Sequence, residues 1–199
     1  DLLGEIVYNL YGSTEVAYAS IATPQDLRAA PGTVGRPPLG TIVKLLDDDG
    51  AGVPAGHTGR IFVGSSIAFE GYTGGGSKQT IAGLMATGDV GHVDAAGRLF
   101  VDGRDDDMIV SGGENVFPLE IEELLTSHPD VTDAAVIGVP DPDFGSRLRA
   151  YVVREPGSGL DQDAIKQFVK ANLARYKVPR EVVFLDELPR NPAGKVLKR

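Results

Sequence analysis

Lys195 lies in Pro189-Arg190-Asn191-Pro192-Ala193-Gly194-Lys195, four residues from the end of a 199-residue chain. A compact ammonium on a long stem suits neutralising charge as a carboxylate and a phosphate react. The glycine before it lets the chain bend close to such a ligand. Far upstream, Tyr11-Gly12-Ser13-Thr14-Glu15 gathers an aromatic ring, backbone, hydroxyls and a carboxylate. The ring offers a flat face to a purine and Thr14 a hydroxyl to a phosphate. Glu15 offers a hard oxygen to Mg²⁺, which takes few protein ligands and keeps waters and phosphates. In Thr87-Gly88-Asp89 the carboxylate can accept two hydrogen bonds, enough for both hydroxyls of a ribose. Arg104, fifteen residues on, can reach the same sugar or its phosphate. Finally, Ser111-Gly112-Gly113-Glu114-Asn115-Val116-Phe117-Pro118 carries paired glycines, which permit positive φ and let a thin chain such as pantetheine pass beside the backbone. Each of these segments alone is equally an ordinary turn.

Taken in order, Tyr11–Glu15, Thr87–Asp89, Gly103–Asp107 and Pro189–Lys195 resemble the later nucleotide motifs of the adenylate-forming superfamily. That superfamily contains acyl-CoA synthetases, luciferases and peptide-synthetase adenylation domains. The resemblance runs from about Tyr11 to the end and is most like the rear third of a bacterial-type fatty acyl-CoA synthetase. It implies that Tyr11, Gly12, Ser13 and Thr14 contact ATP or AMP, that Glu15 binds Mg²⁺, and that Asp89 and Arg104 hold the ribose. It implies that Lys195 is essential for adenylation, with Thr14 and Glu15 beside it in the catalytic set. Gly112, Gly113 and Glu114 would face CoA, and Asp106 would be a hinge between two domains. The Ser-Gly-Gly-Glu-Asn form followed by Pro118 and Glu120-Ile121-Glu122 is, in that family, characteristic of CoA ligases. The implied reaction joins a carboxylic acid to ATP, releases pyrophosphate, and passes the acyl group from the adenylate to CoA. The alternatives are an acyl-AMP ligase or peptide-synthetase adenylation domain, and a binding or interaction module without turnover. Leu84-Met85-Ala86, Asn191 and Ala193 depart from the family's usual residues, and its Ser/Thr/Gly-rich loop ending in Pro-Lys-Gly is not in this sequence. A chain beginning at Asp1 without Met is therefore expected to be an excised piece, inactive alone.

Other chemistries find little support. Gly74-Gly75-Gly76-Ser77-Lys78 lacks the spacing of a phosphate loop and reads as a surface loop. His57, His92 and His128 are scattered singly and there is no cysteine, which removes disulfides, thiol catalysis and a Cys-based metal site. A net charge of −9 argues against nucleic acid, which needs a basic surface to displace counterions. The sign reverses locally: from Lys166 onward nine Lys/Arg face three Asp/Glu, a balance that suits the phosphates of a small ligand or, more commonly, a solvated end. No apolar run approaches the roughly 18 residues of a membrane span and no signal peptide opens the chain, so a cytoplasmic place, or one peripheral to a membrane, is expected.

The elements that must position these residues fall into two kinds. Glu5–Leu10 reads as a strand ending in a Tyr11-Gly12 turn. Between Ala17 and Gly103, short strands (Thr41–Leu46, Arg60–Gly64, Arg98–Asp102) alternate with Gly, Pro and Asp, which favours a small antiparallel unit without a helix. After Arg104 the pattern changes. Met108–Ser111 reads as a strand, and Pro118 opens a helix with Ile121, Leu124 and Leu125 inward and Glu120, Glu122 and Glu123 outward. Strands at Ala134–Val139, Leu148–Val153 and Glu181–Leu185 flank a second helix from Asp161 to about Ala174, with Ile165, Phe168, Val169 and Leu173 on one face. The expected fold class is mixed α/β: a β-rich, distorted-barrel subdomain followed by an α+β domain. The expected divisions are 1–16, a remnant of a nucleotide-binding subdomain, then 17–104, then a mobile 105–199.

Overall fold

The computed structural model describes residues 6–198. It divides into two compact units, the first ending at Asp106 and the second beginning at Asp107.

The first unit opens with an antiparallel hairpin of β1 (Asn9–Ser13) and β2 (Ala17–Ala22). The strand thus runs on through Tyr11-Gly12-Ser13, and the turn falls at Thr14-Glu15-Val16, later than the sequence suggests; Glu5 lies outside the described residues. Gly12 explains the difference. A Cβ there would lie 1.8 Å from the Ala17 carbonyl oxygen, so its glycine serves a close crossing of two strands and not a turn. A short helix, α1 (Pro24–Ala29), follows where none was expected. It buries no residue, so it has no apolar stripe to read, and a reciprocal capping box between Thr23 and Asp26 defines its start.

The remaining strands are β3 (Thr41–Leu46), β4 (Gly59–Ser65), β5 (Thr80–Ile81), β6 (Leu84–Val93) and β7 (Leu99–Arg104). They form one antiparallel sheet in which β6 pairs with β4, β5 and β7. Val16, Ala19, Leu45, Ile61, Val63 and Leu99 make its main core. Thr87-Gly88-Asp89, expected on a loop, lies inside the ten-residue β6. Two features blur that strand in sequence. Gly88 has φ +86°, and the pairing to β7 shifts register between Val90 and Gly91, so the apolar alternation breaks.

In the second unit, β8 (Ile109–Ser111) and β9 (Glu114–Val116) form a hairpin around Gly112 and Gly113, at φ +61° and +85°. Two positive φ values in a two-residue turn match the right-handed twist of the strands, which is why both positions are glycine. A hairpin, and not a direct joint, therefore precedes α2 (Pro118–Thr126). Next come β10 (Val131–Asp141), β11 (Gly145–Arg154), α3 (Gln162–Asn172) and β12 (Glu181–Leu185). The sheet order is β10-β11-β12, with β11 and β12 parallel across α3. Ala134, Val136, Leu148, Ala150, Val152 and Val182 point one way along these strands and pack on Ile121, Leu125, Ile165 and Val169. Each large apolar side chain so buried contributes roughly 1.5–3 kcal/mol, which makes this two-layer contact the chief support of the unit. Asp161 accepts from the Ala164 N–H at 2.8 Å and caps α3. Glu122 departs from its expected outward face. It accepts from the Val136 N–H at 2.7 Å and pairs with Lys198 at 2.8 Å, satisfying a backbone donor on the edge strand β10.

Candidate active site

The first unit brings together residues from three strands. Asp89 on β6 lies directly opposite Arg104 at the end of β7. One carboxylate oxygen meets the Arg104 guanidinium at 3.3 Å, and the other accepts from the Tyr11 hydroxyl at 2.5 Å. The Asp89 N–H donates to Thr87 Oγ1 at 3.0 Å, and that hydroxyl donates to the Ile61 carbonyl at 3.1 Å. Burial and the bond to Asp89 push the Tyr11 phenol well above its usual range, so it remains a donor. Asp89 is consequently a fixed, recessed carboxylate. Each of its oxygens keeps a lone pair for a further donor, as a vicinal diol would supply. Arg104 also bonds Asp106, its Nε to Oδ1 at 3.0 Å, so the guanidinium joins the sheet to the 3₁₀ turn at Asp105–Asp107. Asp105 is tied in turn to Arg60 at 3.0 Å.

Ser13 and Thr14 are exposed at the β1–β2 turn, with Glu15 half-buried beside them. The Glu15 carboxylate accepts from the Tyr72 hydroxyl at 2.7 Å. Bonds from Tyr72 and then Ser13 hold it down to about 2, so it is an anion throughout the neutral range. Among the described residues, no three His, Asp or Glu cluster to hold a metal. One ionised, accessible carboxylate nevertheless fits Mg²⁺, whose remaining positions go to waters and phosphates.

In the second unit, the Gly112 end of the hairpin borders a cleft of about 590 Å³, which Glu114 also lines. The Gly112 N–H donates to the Phe144 carbonyl at 3.0 Å, and a Cβ at Gly112 would lie 2.9 Å from the Phe144 ring. Arg180 stacks on that ring at 4.1 Å. Arg147, Lys170 and Arg175 complete a cationic wall. Arg147 pairs with Asp141 at 3.6 Å and with Glu181, while its buried Nε has no hydrogen-bond partner among the described residues. Burial works to raise the Asp141 carboxyl, but N–H bonds from Asp143 and Phe144 and the nearby Arg180 and Arg147 charges prevail and hold it low. Lys170 and Arg175 are exposed and pair with no carboxylate among the described residues. The cleft is thus an aromatic floor ringed by cations. Gly113 borders the turn and does not line the cleft. Lys195 is exposed on a separate loop of the same unit.

Sequence spacing could not find Tyr72, because its bond to Glu15 spans 57 residues. Phe144 and Arg147 were equally silent. The basic excess after Lys166 includes Lys170, Arg175 and Arg180, but a charge count does not tell a ligand site from a solvated end.

Residues 1–73 match the family of AMP-binding enzymes, and residues 120–195 match the AMP-binding enzyme C-terminal domain. The chain is 41% identical to an indoleacetate–CoA ligase of Aromatoleum aromaticum, over 98% of this chain and 39% of that one. It is 38% identical to a sulfoacetate–CoA ligase of Cupriavidus necator, over 96% of this chain and 38% of that one. Among solved structures it superposes on o-succinylbenzoate CoA synthetase of Bacillus subtilis in complex with its acyl-adenylate intermediate, with a TM-score of 0.89, 32% identity, and coverage of 96% of this chain and 40% of that one. The chain therefore spans about two fifths of the length of the relatives it matches. These relatives are named for an indole acid, a sulfonated acid and an aromatic dicarboxylic acid, so they single out no fatty-acyl type. Among the described residues, no helix is long and apolar enough to cross a membrane. On its matched domains, its relatives and its fold, the chain belongs to the adenylate-forming superfamily of AMP-binding enzymes.

Proposed function

We propose that this chain is the carboxy-terminal part of an AMP-forming acid–CoA ligase. The observation that carries this reading is the cationic cleft with an aromatic floor beside the Gly112-Gly113 hairpin. An acceptor bearing several phosphates and an aromatic base, followed by a thin flexible arm, matches that arrangement, and CoA has this chemistry. Guanidinium groups suit phosphates because their forked donors meet two oxygens at once. Gly112 and Glu114 then flank the arm, with Gly113 completing the turn between them.

In the first unit, Asp89 accepts from the ribose hydroxyls with Arg104 beside it. Tyr11, Gly12, Ser13 and Thr14 line the adenine and α-phosphate of ATP or AMP. Glu15 would hold Mg²⁺, which when bound supplies charge neutralisation to the phosphates. Lys195 adds its own positive charge as the carboxylate oxygen attacks the α-phosphate and pyrophosphate leaves. The CoA thiol then attacks the acyl carbon, and AMP departs with the former carboxylate oxygen. Positioning supplies most of the rate, so the chain alone is expected not to turn over. In the whole enzyme, Arg175→Ala with Arg180→Ala should raise the KM for CoA by about tenfold or more while acid-dependent pyrophosphate exchange holds, each lost charged contact being worth about 1.5–3 kcal/mol at most. Unchanged use of CoA would overturn the reading.

A further inference from the structure

The chain after Leu188 folds back on itself. Arg190 and Val196 bridge in antiparallel sense, and the Leu197 N–H donates to the Pro189 carbonyl at 2.8 Å. Within that loop, the Asn191 N–H donates to the Lys195 carbonyl at 2.9 Å and the Gly194 N–H to the Asn191 carbonyl at 2.8 Å. Gly194 takes φ +81°, a left-handed turn that a side chain would disfavour.

The peptide unit between Gly194 and Lys195 is held at both ends by side chains. Its carbonyl accepts from the Arg190 guanidinium at 2.7 Å. Its N–H donates to Asn191 Oδ1 at 2.9 Å, and the same oxygen accepts from the Ala193 N–H at 3.0 Å. The guanidinium is itself bonded to the Asp133 carboxylate on β10. Asp133 is fixed in turn, its other oxygen accepting from the Ala134 N–H at 3.0 Å. A continuous chain of directional bonds therefore runs from the sheet to the peptide plane that aims the Lys195 side chain.

Apolar packing does not supply that aim. Leu188, Pro189, Val196 and Leu197 face Ile137, Tyr151 and Leu185 across a cavity of about 220 Å³. A seat with space left in it restrains the loop without choosing its rotation, since apolar contact is non-directional. The Lys195 side chain makes no ion pair or hydrogen bond among the described residues, so the peptide plane at its base is its one directional polar restraint among them.

We propose that Asp133, Arg190 and Asn191 are positioning residues that orient the Gly194–Lys195 peptide and, through it, the Lys195 ammonium. This rests on the reading of Lys195 as the residue that assists adenylation. A reacting group displaced by about 1 Å loses roughly a hundredfold in rate, so loosening one link should cost between about tenfold and a hundredfold.

The test uses the whole enzyme with Asp133→Asn, Arg190→Gln, Asn191→Ala and Asn191→Ser, each alone and with Lys195→Ala. Acid-dependent pyrophosphate exchange and the conversion of preformed acyl-adenylate to acyl-CoA are measured separately, with amide exchange at Ala193 and Lys195. Asp133→Asn, Arg190→Gln and Asn191→Ala should slow exchange through kcat with little change in KM, while leaving the thioester step intact. Asn191→Ser, which keeps an acceptor oxygen, should restore much of the rate. In the Lys195→Ala background none of them should cost anything further. Amide exchange at Lys195 should quicken whenever a link is cut. If Lys195→Ala leaves pyrophosphate exchange intact, the reading of the lysine has failed and the proposal falls with it. If Lys195→Ala is slow but Arg190→Gln and Asn191→Ala run normally, the positioning proposal alone is overturned. Equal loss in both half-reactions also overturns it, since that would mark a general structural role.

Discussion

The Glu15 carboxylate and the Tyr72 hydroxyl, at 2.7 Å, show how one hydrogen bond sets the charge of a candidate metal ligand. Tyr72 donates more strongly to the ionised form, so it stabilises the anion and is the largest of the causes that lower the pKa to about 2. The linkage has a definite sign. A depressed folded-state pKa contributes stability that is complete above the unfolded value and is lost as pH falls through the folded one. For Glu15 that window runs from the ordinary 4.5 down to about 2. Replacing Tyr72 by Phe removes the largest cause, and Glu15 should then titrate well above 2, nearer the ordinary carboxylate. The side-chain carboxyl carbon of Glu15, followed by NMR against pH, reports this directly. An unmoved midpoint would mean that Ser13 and the turn backbone suffice. Asp89 supplies a second case. Asp89→Ala removes the acceptor proposed for the ribose and leaves Tyr11 and Arg104 without their shared partner. In the whole enzyme the affinity for ATP should fall by about tenfold or more, because a hydrogen bond to a charged group is worth roughly 1.5–3 kcal/mol. Equilibrium nucleotide binding checks it, and undiminished affinity would remove Asp89 from the site.

At the scale of elements, legibility followed burial. The inward faces of α2 and α3 were readable because Ile121, Leu125, Ile165 and Val169 recur at helical spacing and are fully buried. Helix α1 was not readable, since it buries nothing. Strand β6 was hidden by the positive φ of Gly88 and a register shift, although it carries Asp89. The motif residues themselves were legible from their order, while their partners Tyr72 and Phe144 came from distant chain segments that only the fold brings near. The Gly112-Gly113 hairpin turns this into a prediction. Both glycines have positive φ, but only Gly112 faces an obstacle, the Phe144 ring 2.9 Å from where a Cβ would stand. Gly113→Ala should cost about 1–2 kcal/mol, the usual strain of a left-handed alanine. Gly112→Ala should cost more, by the displacement of a ring that Arg180 also holds. Adding Phe144→Ala should recover part of the Gly112→Ala loss and none of the Gly113→Ala loss. Denaturant unfolding of these four variants and of Phe144→Ala alone measures the coupling, and equal coupling at both glycines would refute the steric account.

The whole molecule divides at Asp106, and the last prediction concerns that place. By its sequence the Asp105-Asp106-Asp107 run is charged and poor in apolar residues. The structure shows a 3₁₀ turn whose first two aspartates are each held by an arginine, Asp105 by Arg60 and Asp106 by Arg104. The Asp105 side chain is 36% exposed and that of Asp106 72%. We propose the pivot at Asp106, the more exposed of the two and the last residue of the first unit. Lys195 and the Gly112-Gly113 hairpin are proposed to serve different half-reactions, and a rotation of the second unit would present them in turn. A hinge works by absorbing changes in φ and ψ at a few residues. Proline fixes φ near −65°, so Asp106→Pro in the whole enzyme should arrest one orientation while both units stay folded. One half-reaction should fall by orders of magnitude and the other by much less, a split that lost stability cannot produce. Asp106→Ala, which removes the carboxylate that Arg104 holds but leaves φ free, should retain both. Pyrophosphate exchange and the conversion of preformed acyl-adenylate to acyl-CoA give the two rates. Equal loss in both for Asp106→Pro, or loss in neither, would take the hinge away from Asp106.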